Sequence, residues 1–146
     1  MGTAFDYIKS KKLETESDYP YKAVDGSCKF NSKKAKVGDK GHSNVATGKV
    51  AQLKAAVAQG PVSVAIEADT DVFQSYGGGI LNSEDCGTQL DHGVVVVGYG
   101  SEGGQEYYIV RNSWGASWGE NGYVKIAAVD GDGICGIQME PVVPLI

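Results

Sequence analysis

The residues in this chain with the clearest capacity for chemistry are His92 and Asn112. An imidazole takes up and releases a proton near neutral pH, and an asparagine carbonyl can accept one ring N–H and so fix the tautomer. The other ring nitrogen is then free to act as general acid and base for a nucleophile. Trp114, two residues after Asn112, would cover that hydrogen bond from water. A lone histidine is more often structural, but this combination favours proton transfer.

Two predicted strands must bring these side chains together. The valine-rich segment 93–98 and the segment 106–111 flank the turn-like sequence Ser101-Glu102-Gly103-Gly104, which predicts a β-hairpin. His92 precedes the first strand and Asn112 follows the second. Pairing of the two strands therefore places His92 beside Asn112.

Apolar periodicity predicts the surrounding elements. They are an opening helix with the stripe Met1, Ala4, Phe5 and Ile8, a helix over about Val50–Gln59, and strands over Val62–Ala68 and Gly122–Ala127. Residues 13–49 are expected to be irregular, and a tail is expected after Gly136. Short strands that follow scattered helices indicate an α+β fold with an antiparallel, barrel-like sheet.

Composition excludes several classes of function. The 146 residues are 42% hydrophobic, enough for one domain with a core, and carry a formal charge of -5. Lys33, Lys34 and Lys36 form only a short basic cluster, which is typical of a solvated loop, so no nucleic-acid partner is expected. No apolar run approaches the ~18 residues of a membrane span, and no membrane association is expected.

Two glycine-rich motifs resemble cofactor or metal sites without meeting their requirements. The segment 98–103 fits G-x-G-x-x-G, but a strand pattern follows it where a dinucleotide site needs a helix N-terminus. The segment 130–133, Asp-Gly-Asp-Gly, would need a bidentate glutamate at its twelfth position, which is Pro141. Both are interpreted as turns, and no cofactor is expected.

The three cysteines, Cys28, Cys86 and Cys135, are an odd number, which indicates an unpaired thiol or a missing partner. Three cysteines and two histidines could also form a zinc site. No Cys-x-x-Cys or His-x3-5-His spacing supports that alternative, so no metal is expected.

Several sequence blocks together resemble the papain-like, cathepsin L-type cysteine peptidases. The two most specific are Leu-Asp-His-Gly-Val-Val-Val-Val-Gly-Tyr-Gly at 90–100 and Arg-Asn-Ser-Trp-Gly-Ala-Ser-Trp-Gly at 111–119. Further blocks in the family's order are Asp18 to Tyr21, Gly60 to Ile66, Gly77 to Ile80, Gly122-Tyr123 and Cys135 to Ile137. The resemblance implies that residues 1–12 are the last helix of the family's helical domain and that residues 13–146 are its sheet-rich domain.

The resemblance implies a proteolytic mechanism through an acyl-enzyme, with His92 as general acid/base and Asn112 as its orienter. The family's nucleophile lies in a Cys-Gly-Ser-Cys-Trp-like segment, roughly 130–150 residues before its His and Asn partners. Here 91 residues precede His92 and no such segment occurs. The family's oxyanion-hole glutamine and substrate-binding glycine pair are also missing. The nucleophile is therefore expected upstream of residue 1, and this chain alone is expected to be inactive.

The resemblance also implies a disulfide between Cys86 and Cys135 and makes Cys28 a loop half-cystine rather than a nucleophile. It implies a pocket for the residue second before the cleaved bond. By this resemblance the expected substrate-binding positions are Ala65, Leu90, Asp91, Trp114 and, at the pocket floor, Glu140. A carboxylate at that floor would accept arginine, while the competing interpretation is a solvated glutamate near a chain end.

The sequence therefore predicts the C-terminal portion of a cysteine endopeptidase acting on peptides or proteins. One alternative is a truncated pseudo-peptidase that binds peptides or regulates. Another is a half-enzyme completed by a separate N-terminal segment. The resemblance implies a lysosomal, vacuolar or secreted location, and the apolar faces expected to be exposed predict self-association.

Overall fold

The computed structural model describes all residues from Met1 to Ile146. Its backbone forms two compact units. One, here called the sheet unit, is Asn44–Val143 together with Met1; the other, the loop unit, is Gly2–Ser43 together with Pro144–Ile146. The division predicted between residues 12 and 13 stays a prediction.

Three α-helices and seven β-strands account for the regular structure. The helices are α1 (Gly2–Lys11), α2 (Val50–Val57) and α3 (Asp71–Gln74). The strands are β1 (His42–Asn44), β2 (Val62–Ile66), β3 (Ile80–Leu81), β4 (His92–Glu102), β5 (Gln105–Arg111), β6 (Tyr123–Ala127) and β7 (Val142–Pro144). The strand order is β1-β7-β2-β4-β5-β6-β3, and short 3-10 turns cover Glu84–Cys86 and Ile134–Gly136. The α+β class with a mainly antiparallel sheet is confirmed.

The central β4–β5 hairpin is longer than the sequence predicts. Its pairing continues to Glu102 and Gln105, so only Gly103 and Gly104 form the turn. Both glycines have positive φ, 58° and 84°, which suits a tight hairpin turn and strains other residues. The segment 98–103 therefore lies in a strand and its turn, as interpreted from the sequence.

The core of the sheet unit lies on one face of the sheet. In β2, Val62, Val64 and Ile66 are fully buried while the residues between them are half-buried, as the two-residue period of a strand requires. Val64 pairs with Val94 on β4. Leu53 and Val57 of α2 belong to the same buried cluster.

Some elements escaped the sequence patterns. The segment after Gly136 includes strand β7, which pairs with β2 through Ser63 and Val142, so the predicted tail is wrong there. The β3–β6 pair is parallel in an otherwise antiparallel set. Strands of two or three residues are too short to display an alternation, which explains why β1, β3 and β7 were not predicted.

The loop unit has little buried structure. Helix α1 forms where the apolar stripe predicts it, yet none of its residues is buried. Phe5 stacks against His42 at 6.4 Å between ring centroids, and Asp6 lies 3.2 Å from the Nδ1 atom of the same histidine. No helix in the chain has both the length and the apolar character required to cross a membrane.

Candidate active site

His92 and Asn112 are in direct contact. The Nε2 atom of His92 lies 2.8 Å from the Oδ1 atom of Asn112, a hydrogen-bond distance. His92 is half-buried, and only 8% of Asn112 is exposed. The two predicted residues are therefore adjacent, as the hairpin prediction requires.

The strand register explains this contact. His92 is the first residue of β4 and pairs with Ile66 at the end of β2. Asn112 follows the last residue of β5, and its backbone N–H donates to the Gly122 carbonyl at 3.0 Å. Backbone hydrogen bonds therefore hold both Cα positions independently of the contact between the two side chains.

The hydrogen bonds around the Asn112 amide determine the histidine tautomer. The Asn112 Oδ1 atom also accepts the backbone N–H of Ser113 at 2.8 Å, which fixes the orientation of the amide. Since Oδ1 can only accept, the His92 Nε2 atom must carry a proton. In neutral His92 the Nδ1 atom is then the proton acceptor, available to a reacting group.

Trp114 lies over the imidazole. The ring centroids of His92 and Trp114 are 5.1 Å apart and their planes differ by 31°. Phe73 packs edge-on against Trp114 at 5.5 Å, and Trp118 does so at 5.3 Å. The Trp118 indole N–H donates to the Gln74 carbonyl at 3.0 Å. This aromatic group limits access of water to the His92–Asn112 hydrogen bond, which strengthens that bond.

The disulfide between Cys86 and Cys135 is present, with 4.9 Å between the two Cα atoms, and confirms the pairing. Cys86 is fully buried and 1% of Cys135 is exposed. Cys28, in the loop unit, is a free and exposed thiol. The sheet unit, which contains His92 and Asn112, therefore holds no free thiol.

The residues predicted to bind substrate differ in their burial and in their contacts with neighbouring side chains. Ala65 and Leu90 are half-buried. Leu90 lies over Gly136, so that a Cβ at Gly136 would come within 2.7 Å of the Leu90 Cδ2 atom and 3.0 Å of the Met139 Sδ atom. Glu140 is exposed, and its carboxylate makes no ion pair or side-chain hydrogen bond. Whether these residues bind substrate stays a prediction.

Asp91 belongs to a group of carboxylates at the start of β4. Its Oδ1 atom accepts the Ala68 backbone N–H at 2.8 Å. The nearby negative charge of Asp91 raises the pKa of Asp69, with desolvation and Glu67 adding to the effect. This end of the site is therefore electronegative.

Sequence reasoning missed Phe73, Trp118 and Glu67. The four-residue spacing of Trp114 and Trp118 was a signal that the two indoles belong together, but Phe73 comes from α3, which was not predicted. Glu67 accepts the Gln89 backbone N–H, a contact between segments 22 residues apart that no local pattern indicates.

Comparison with known proteins agrees with this geometry. The family model described as "Papain family cysteine protease" matches residues 1–145. The curated "Cysteine proteinase RD21A" of Arabidopsis thaliana is 50% identical over 149 aligned positions, which cover 99% of this chain and 32% of that protein. The chain thus spans about a third of that relative.

Two solved structures share the fold. The bromelain protease from Ananas comosus matches with a TM-score of 0.91 and 38% identity, covering 99% of this chain and 68% of that one. Digestive procathepsin L 3 from the Tenebrio molitor larval midgut matches with a TM-score of 0.93 and 42% identity, covering 100% and 48% respectively. Because the family model, the sequence relatives and the fold agree over nearly the whole chain, this protein belongs to the papain family of cysteine proteases.

Proposed function

We propose that this chain supplies the proton-transfer half of a papain-type cysteine endopeptidase. The observation that carries the proposal is the 2.8 Å contact between His92 Nε2 and Asn112 Oδ1 beneath Trp114. It leaves one imidazole nitrogen as an oriented base. A positioned acid/base is typically worth ~10²–10⁴ in rate.

In the proposed reaction a cysteine thiol gives its proton to His92 Nδ1, and the resulting thiolate attacks the peptide carbonyl. The imidazolium then protonates the leaving amine as the C–N bond breaks, and an acyl-enzyme thioester remains. His92 next removes a proton from water, which attacks the thioester and releases the acid and the thiol. Asn112 holds the ring throughout and bonds to the imidazolium as well as to the neutral form.

The thiol in this scheme comes from a segment outside the 146 residues. Both cysteines of the sheet unit are joined in the disulfide, and we infer that Cys28 is not the nucleophile because the family places its nucleophile in a different sequence context. We therefore propose that the 146-residue chain by itself does not hydrolyse peptides. The carboxylates at the start of β4 and the disulfide are both compatible with a lysosomal, vacuolar or secreted location. We propose such a location for this protein.

The proposed substrate is a peptide with an apolar or basic residue second before the cleaved bond. Ala65 and Leu90 would contact an apolar side chain, and Asp91 and Trp114 are further proposed contacts. The exposed and unpaired Glu140 carboxylate would pair with arginine.

A fluorogenic Phe-Arg substrate at mildly acidic pH, with reductant, tests the proposal. We expect no turnover from the purified chain, whose intact mass is checked in parallel. Fusing the chain to the cysteine-bearing N-terminal segment of a family relative is expected to give turnover that His92→Ala abolishes. Activity that survives His92→Ala would contradict the proposed role of His92. Turnover by the unfused chain, with a covalent adduct on Cys28, would contradict the proposal that the nucleophile lies outside these 146 residues.

A second candidate is a peptide-binding protein that cleaves nothing. The lack of a free thiol in the sheet unit favours it. Peptide binding by the unfused chain, combined with an inactive fusion, would support this candidate over the peptidase.

A further inference from the structure

Residues 88–90, which immediately precede Asp91 and His92, are held to the rest of the sheet unit by a single hydrogen bond. Neighbouring positions are fastened independently: Cys86 by the disulfide, Gly87 N–H to the Glu84 carbonyl at 3.0 Å, and Asp91 N–H to the Ile66 carbonyl at 3.0 Å. Between them, only the Gln89 backbone N–H has a partner, the carboxylate of Glu67. That carboxylate therefore supplies the only hydrogen bond to this short segment, which otherwise rests on the packing of Thr88 and Leu90 against Gly136.

The position of Glu67 is itself well defined. It follows Ile66 directly at the end of β2, and its backbone N–H donates to the Cys135 carbonyl at 2.9 Å. The Cys86 Sγ atom lies 3.7 Å from the Glu67 carbonyl oxygen. Glu67 thus extends from a rigid strand and lies against both halves of the disulfide.

Gly87 makes room for the carboxylate. Its φ is 73°, a conformation that favours glycine, and a Cβ at this position would overlap the Glu67 carboxylate. The absence of a side chain at residue 87 and the carboxylate at residue 67 are therefore complementary. Together they place the Gln89 N–H against a charged acceptor, the stronger kind of hydrogen bond.

Leu90 is the residue that this arrangement positions. It follows Gln89 directly and lies over Gly136 beside Met139. We propose that Glu67 is a positioning residue that fixes Leu90 as a wall of the substrate pocket and so acts on substrate recognition rather than on proton transfer. That Leu90 lines a substrate pocket rests on the proposed function. The anchoring of residues 88–90 by Glu67 rests on the geometry alone.

The first test uses the 146-residue chain and needs no activity. Amide hydrogen exchange at Gln89 is expected to become about tenfold faster or more in Glu67→Ala, because a hydrogen bond to a charged group is lost. Glu67→Gln, whose amide oxygen can still accept, is expected to stay within a fewfold of the parent. Glu84→Gln, an exposed carboxyl in the same loop without a hydrogen bond, is the matched control and is expected to leave Gln89 unchanged.

Gly87→Ala reaches the same contact from the other side. It is expected to displace the carboxylate and accelerate Gln89 exchange, and the effects of Glu67→Ala and Gly87→Ala are expected to be less than additive in the double variant. Unchanged Gln89 exchange in Glu67→Ala, or full additivity in the double variant, would overturn the anchoring.

The second test uses the active fusion described above. Glu67→Ala is expected to raise KM for the Phe-Arg substrate several-fold with kcat nearly unchanged, and Glu67→Gln to restore most of the loss. A fall in kcat without a change in KM would overturn the recognition role even where the exchange result holds. If the parent fusion is inactive, the proposed function fails, while the shift of the Leu90 methyl resonances in Glu67→Ala still decides whether Glu67 positions Leu90.

Discussion

Asn112 determines which nitrogen of His92 carries a proton. Its Oδ1 atom accepts both from the imidazole and from Ser113 N–H, each at 2.8 Å, so the amide cannot rotate without losing two hydrogen bonds. The proposed proton-transfer pair is therefore organised in this chain by backbone register and one amide. It does not depend on the nucleophile to take shape.

Replacing Asn112 with alanine is expected to release that constraint. Nitrogen NMR should detect the Nε2–H form of neutral His92 in the parent and a mixture of both tautomers in Asn112→Ala, because no acceptor then selects one nitrogen. His42, the other histidine of the chain, is an internal control whose tautomer should not change. A parent protein with the Nδ1–H form dominant at His92 would contradict the assignment.

Asp69 gives a prediction of pH dependence at the same scale. The charge of Asp91, desolvation and the charge of Glu67 raise the pKa of Asp69 above its ordinary value of 3.8. The folded state thus favours protonated Asp69. The resulting stabilisation is fully present below pH 3.8 and is lost as the pH rises through the folded-state pKa.

The variant Asp69→Asn should therefore unfold at a higher temperature than the parent at neutral pH, where it removes repulsion. The difference should shrink as the pH is lowered toward 3.8, because the parent then becomes protonated itself. Melting temperatures across this range measure the effect, with the exposed Asp85→Asn as control. If the melting temperature of Asp69→Asn rose further above that of the parent on acidification, the predicted direction of the Asp69 pKa shift would be wrong.

At the scale of elements, a buried polar pair holds the segment after β6 against the sheet. The Tyr108 hydroxyl on β5 donates to the Gln138 Oε1 atom at 2.6 Å, and Gln138 Nε2 donates to the Val129 and Gly131 carbonyls, each at 2.8 Å. Burial raises the pKa of Tyr108, with smaller contributions from Asp130 and Glu106, so the phenol stays neutral. The 129–138 segment, which includes Cys135, is thereby fixed.

Tyr108→Phe is expected to destabilise the chain by about 1–3 kcal/mol, because it leaves the buried Gln138 oxygen without a donor. Urea denaturation measures the loss. Tyr123→Phe, which removes a hydroxyl at a position 38% exposed, is the matched control and should change stability little. Equal effects of the two substitutions would show that the buried pair is not special.

The lengths of the elements also explain how much of the fold and of the site could be predicted from the sequence. The hairpin that joins His92 to Asn112 was predictable because both strands are long enough to display their pattern and the turn glycines separate them. The aromatic cover was only half predictable, since Phe73 lies on the four-residue helix α3. The Glu67 contact was not predictable, because it depends on two loops meeting and on a missing side chain at Gly87.

At the scale of the whole molecule, the two units differ in how much apolar surface they expose. In the sheet unit no large apolar side chain is more than 43% exposed, the value for Tyr99. In the loop unit Tyr21 is 85% exposed, Val24 77% and Val37 56%. Exposed apolar patches mark surfaces that associate with other chains. We therefore expect the isolated chain to self-associate through the loop unit.

We accordingly expect the 146-residue chain to self-associate in a concentration-dependent manner that sedimentation velocity detects. Replacing Tyr21 and Val24 together by serine should lower the association, because both side chains contribute their apolar surface to the loop unit. Val129→Ser, which removes an apolar side chain that is 41% exposed in the sheet unit, is the matched control and should leave association unchanged. A parent chain that sediments as a monomer at every concentration would exclude self-association. An effect of Val129→Ser equal to that of the double variant would instead place the adhesive surface outside the loop unit.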